Sequence, residues 1–72
     1  MPYVNIKVTD DGVSPEQKAE LLARVTDALV DVLGKAPDHI HIVLDEVPQE
    51  NWGFAGMRTD VYRARPAAGD KA

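Results

Sequence analysis

Residues 14–34 read SPEQKAELLARVTDALVDVLG. The first four residues agree on a helix start. Ser14 can cap, and Pro15 suits the first helical position, where its missing N–H would be unpaired anyway. Glu16 complements the helix dipole, and Gln17 stands three residues after Ser14, where a capping box needs it. Leu21, Leu22, Val25, Ala28, Leu29, Val32 and Leu33 then follow at helical spacing. Gly34 is a natural stop. The spacing predicts a helix over 15–33, roughly 28 Å long at 1.5 Å per residue.

On either side the period changes to two. Before the helix, YVNIKV (3–8) puts Val4, Ile6 and Val8 on one face and Tyr3, Asn5 and Lys7 on the other, and TDDG ends the run with turn chemistry. After the helix, HIHIVLDEV (39–47) puts Ile40, Ile42 and Leu44 on one face and His39, His41, Val43 and Asp45 on the other. Strand, long helix, strand reads as a β-α-β unit with a right-handed crossover and parallel strands, an α+β fold class. PQENWGFAG (48–56) is rich in turn formers, and Thr59 to Arg63 reads as a short strand or hairpin arm. The last stretch has too little apolar content to pack. The expectation is one domain over 1–65 and a flexible tail over 66–72.

Seventy-two residues bury a thin core of their own. Small chains compensate with disulfides, metal or oligomerisation. With no cysteine there is no disulfide and no thiolate site, which leaves oligomerisation. The sheet argues the same way. One helix covers one face, and the other face carries Tyr3 and Val43, with Trp52 close by in sequence terms, so a partner subunit is its expected cover. A net charge of −4 argues against nonspecific nucleic-acid binding. No apolar run approaches the ~18–20 residues of a membrane span, and no signal-peptide pattern precedes the first strand. A soluble cytoplasmic protein without a membrane partner is expected.

Pro2 stands immediately before the first strand. It serves as a stiffener of the terminus or, once Met1 is removed, as a secondary amine at the chain end. An α-amine has a reference pKa of roughly 7.7–8.0, and apolar surroundings lower it, which suits proton abstraction beside a carbonyl near neutral pH. A buried strand starting here would set that amine at a sheet edge against apolar neighbours. His39 and His41 are two apart, but no third or fourth zinc ligand is evident, so no metal and no cofactor is expected. Both are read as surface or interface residues, with His41 the better placed to line a site. Trp52 is either a core plug or the apolar wall of a pocket. Arg58, Arg63 and Arg65 are either solvated charges or the cations placed to meet an anion.

Taken together, "MP" followed by a strand, SPEQKAELLARVTDAL, HIHIVLDEV and ENWGFAG resemble the 4-oxalocrotonate tautomerase family of the tautomerase superfamily, from Pro2 to about Gly56 and nearly the whole chain. The resemblance implies short β-α-β subunits that pair into a four-stranded sheet with two helices on one face. It implies a homo-oligomer, first a hexamer built as a trimer of dimers and next a dimer. It also implies a small-molecule carboxylate substrate and a catalytic amino-terminal proline that shuttles a proton between an enol oxygen and carbon. Pro2 matches that proline, and Trp52 matches the aromatic wall that keeps its amine weakly basic.

The two family arginines are missing. The place before the helix is taken by Val13, with one extra residue in the TDDGV turn, and the place on the second strand by His41. Losing a bidentate carboxylate clamp costs roughly 1.5–3 kcal/mol, one or two decades of binding. A dicarboxylate such as 2-hydroxymuconate is therefore expected to bind poorly, and a smaller or less charged 2-oxo acid to be preferred. His41 remains a hydrogen-bond donor to an enolate-like oxygen, and Arg58 or a neighbour's arginine is the candidate replacement clamp. Two other readings stay open. One is a non-catalytic oligomeric binding or scaffold protein. The other is a hydratase or dehalogenase type lyase in which Asp45 or Glu46 activates water.

Overall fold

The structure is a computed structural model that describes residues 1–65. Strand β1 (Tyr3–Thr9) leads through a turn into helix α1 (Pro15–Leu33), which returns the chain to strand β2 (His41–Val47). The two strands are parallel and directly in register, from Tyr3 beside His41 to Thr9 beside Val47. A short hairpin follows, β3 (Gly53–Phe54) and β4 (Met57–Arg58), then a one-turn helix α2 (Thr59–Arg63).

The helix start forms as its residues dictate. Gln17 N–H donates to Ser14 Oγ at 3.1 Å, and Ser14 N–H donates to Gln17 Oε1 at 3.0 Å, closing the capping box. At the other end Gly34 takes a left-handed conformation (φ 66°), and its N–H caps Val30 O. Helix α1 lies over the face formed by Val4, Ile6, Val8, Ile42 and Leu44, all half-buried. A Lys18–Glu46 ion pair joins the helix to the strand on that side.

Two elements differ from the sequence reading. His39 does not open the second strand. Residues Pro37–His39 form a 3-10 turn, in which His39 N–H donates to Ala36 O and Ile40 N–H to Pro37 O, so β2 starts at His41 and the two histidines do not share a strand face. Pro37 at the first helical position favours that turn. Thr59 to Arg63 is a helix, not a hairpin arm. The hairpin closes earlier, because Ala55 (φ 54°) and Gly56 (φ 75°) both adopt positive φ in the two-residue turn between Phe54 and Met57. The expected tail over 66–72 lies outside the described residues.

No apolar side chain among the described residues is fully buried; Thr59 alone reaches 0% exposure. The opposite face of the sheet is open. It presents Tyr3 (63% exposed) and Val43, with Lys7 bonded to Asp45 at 2.8 Å and Asn5 at 3.3 Å from the same carboxylate oxygen. No helix among the described residues is long and apolar enough to cross a membrane.

Candidate active site

Pro2 sits at the open N-terminal end of β1. Its carbonyl accepts the N–H of His41 at 3.1 Å, so the ladder holds the residue by its C-terminal side. Proline's own nitrogen takes no part in that bond. Met1 is 84% exposed. The sheet therefore fixes Pro2 while the bond before it stays accessible. His41 is the first residue of β2 and stands in register with Tyr3, one residue from Pro2.

The other predicted site residues lie at the far end. Asp10 N–H donates to Val47 O, tying the turn after β1 to the end of β2. Asp11 then gathers the C-terminal module onto that turn. Its carboxylate accepts from Arg63 Nη1 at 2.8 Å, from Gln49 Nε2 at 3.1 Å and from the Thr9 hydroxyl. The hydrogen bond from Arg63, and after it that from Thr9, holds the Asp11 carboxyl below the usual carboxylate range. Val13 follows on the same turn, while Trp52 and Arg58 belong to the docked module. Two strands of seven residues separate this end from Pro2, about 23 Å at ~3.3 Å per residue. The described residues span 49 × 22 × 20 Å, in keeping with that separation.

One chain thus brings Pro2 and His41 together at one end of the sheet and places Val13, Trp52 and Arg58 at the other. Pro2 is half-buried, and Tyr3 beside it is mostly exposed. Pro2 and Trp52 thus stand at opposite ends of the two-stranded sheet. The cations are largely engaged: Arg58 pairs with Asp60 at 3.1 Å, Arg63 with Asp11, and the Arg65 guanidinium lies 4.0 Å over the Tyr62 ring. The carboxylates considered for water activation are engaged too. Asp45 is held below its usual range first by Lys7 and then by Asn5, which makes it a poor base, and Glu46 pairs with Lys18.

Two residues that organise this end were not singled out from the sequence. Asp10 and Asp11 are equivalent turn aspartates in the sequence, and the docked module shows that Asp11 binds. Thr59 reads in the sequence as part of a short strand or hairpin arm, and its only signal is the hydroxyl of a β-branched residue directly after the turn-rich stretch.

The sequence profile of the tautomerase enzymes matches residues 2–61. A probable tautomerase of Dickeya dadantii (strain 3937) is 54% identical over 56 residues, covering 78% of this chain and 84% of that protein. DmpI from Helicobacter pylori superposes with a TM-score of 0.81 at 34% identity, over 90% of this chain and 100% of that one. A heterohexameric 4-oxalocrotonate tautomerase from Chloroflexus aurantiacus J-10-fl superposes with a TM-score of 0.76 at 27% identity, over 83% of this chain and 95% of that one.

Proposed function

This chain belongs to the tautomerase family, and on that premise we propose that it is an isomerase interconverting the enol and keto forms of a small 2-oxo acid, with Pro2 as general base after removal of Met1. The observation that carries the reading is the anchoring of Pro2. Its carbonyl is fixed by His41 while the Met1–Pro2 bond is exposed, so cleavage leaves a secondary amine held at the end of a sheet.

The proposed step needs no co-reactant. The Pro2 nitrogen takes the enol hydroxyl proton, the oxygen becomes the carbonyl, and the electron pair of the C=C bond takes the proton back from the ammonium at carbon. His41 donates to the developing oxyanion. Trp52 of another copy supplies the apolar wall that disfavours the ammonium form. A homo-oligomer follows from this division of the site, and the heterohexameric relative supports a hexamer over a dimer. In that assembly two chains pair their sheets into four strands, with both α1 helices on one face.

With Val13 and His41 in the arginine places, and Arg58 paired to Asp60, a monocarboxylate fits better than 2-hydroxymuconate. The test is ketonisation of phenylenolpyruvate by protein whose intact mass shows Met1 removed, beside Pro2→Ala. General acid–base catalysis typically contributes about 10²–10⁴-fold, and a loss of that size in an intact oligomer is expected. An unchanged rate in the variant would refute Pro2 as base. No rate above buffer in the parent protein would transfer the argument to a binding protein of the same fold.

A further inference from the structure

Thr59 is the single residue buried to 0% among the described residues, and both of its donors point at one acceptor. Its N–H donates to Trp52 O at 2.8 Å, and its hydroxyl donates to the same oxygen at 2.5 Å. A carbonyl oxygen has two lone pairs, and one residue occupies both directions here. Thr59 stands one rung beyond the Gly53–Arg58 pair, so the N–H bond merely extends the hairpin ladder. The hydroxyl bond is additional. A valine would fill the same volume and keep the ladder bond, so neither the hairpin nor the packing calls for the oxygen.

A buried hydroxyl must find an acceptor, and this one finds the peptide that carries Trp52. Because Thr59 is β-branched, its χ1 is stiff, and the hydroxyl holds that peptide in one orientation. On the other side, Trp52 N–H donates to Gln49 O at 3.2 Å, and Gln49 is itself bonded to Asp11. The Trp52 backbone is thus gripped from both neighbours, whereas Phe54, two residues on, has its own support from Tyr62 at a ring-centroid distance of 4.3 Å.

We propose that Thr59 is the positioning residue for Trp52: its hydroxyl sets the direction in which the indole is offered to the proline of another copy. The proposal rests on the reading of Trp52 as the apolar wall. A loosened wall admits water to the amine, which favours its ammonium form and moves the acid limb of the rate profile to higher pH. Turnover at neutral pH falls with it.

Thr59→Val and Thr59→Ser separate the hydroxyl from the methyl group. Trp52 is the sole tryptophan, so its fluorescence reports on this residue without reference to activity. On the assembled protein, Thr59→Val is expected to red-shift the emission and lower its anisotropy. It should also reduce kcat/KM several-fold at pH 7 and shift the acid limb upward. Thr59→Ser, which keeps the hydroxyl but loses the stiffening branch, should lie nearer the parent than Thr59→Val in all four. Parent-like fluorescence and pH profile in Thr59→Val would overturn the proposal. So would a change in Thr59→Ser that equals or exceeds that in Thr59→Val; if the valine protein does not assemble, Thr59→Ala takes its place, since it differs from Thr59→Ser only in the hydroxyl, and equal effects in those two would overturn the proposal. If the parent shows no Pro2-dependent turnover, the catalytic reading fails by itself, and the fluorescence comparison still decides whether the hydroxyl orients Trp52.

Discussion

Dilution should unfold this protein. Seven large apolar side chains besides Met1 are exposed by 37–80%, among them Tyr3, Leu21, Val32, Leu33 and Val43. Covering all seven would contribute about 7 kcal/mol per chain, at roughly 2 kcal/mol for each fully buried side chain and about half of each surface still open. That equals the whole stability of many small domains, so the isolated chain has little left to stand on. Unfolding is then coupled to dissociation. At about 1.4 kcal/mol per decade of concentration, shared among the chains, a 100-fold dilution lowers stability by about 1.4 kcal/mol per chain for a dimer and about 2.3 kcal/mol for a hexamer. A urea slope near 1 kcal/mol/M for a chain this short turns these into midpoint drops of about 1.4 and 2.3 M. The assay is urea unfolding followed by far-UV circular dichroism at two protein concentrations 100-fold apart. Superimposable curves would refute the reasoning, because a chain stable on its own has no concentration in its equilibrium.

Three further outcomes are expected. Mixing Pro2→Ala with Trp52→Ala protein, denaturing and reassembling them together, should yield turnover that neither has alone, since the combined oligomer contains pockets with both side chains intact; activity no greater than the sum of the parents would place the two residues in one chain. Ala55 occupies a left-handed conformation that costs an L residue roughly 1 kcal/mol, so Ala55→Asn should raise stability by about 0.5–1 kcal/mol in urea unfolding at fixed concentration. The lowered Asp11 carboxyl contributes stability above the ordinary aspartate value, near pH 4, and loses it as pH falls through the lowered one; Asp11→Asn should therefore be less stable than the parent at pH 6, with the gap closing in acid.

Local signals carried most of the fold. Helix α1 was legible because cap, dipole complement, periodicity and stop agree within one stretch, and β1 and β2 because the alternation is clean. The failures lie where local chemistry competes. HIHIVLDEV alternates from His39, yet Pro37 draws the first residue into a 3-10 turn. The hairpin was invisible at its true length, because Ala55 is an unusual resident of a positive-φ turn and gives no glycine or asparagine signal there. The candidate site was legible as a set of residue types and not as a place. Pro2 and Trp52 can be named from the sequence, but their separation along the sheet follows from the docking of the C-terminal module on Asp11, a contact across 52 positions in the chain.

The open sheet face changes character along its length, with Tyr3 beside His41 at the proline end, Asn5 beside Val43 in the middle and the Lys7–Asp45 pair beyond them. Lys7 spends one of its three donors on Asp45, so a covering surface that is wholly apolar would strand the remainder. Such a face reads the identity of whatever approaches. If the proposed pairing of sheets uses this face, a second copy that supplies acceptors opposite Lys7 and an apolar patch opposite Tyr3 would be admitted, and a wholly apolar surface, or a copy slid along the strands by one step, would be turned away. The same few side chains that leave this face open would then also decide what can cover it.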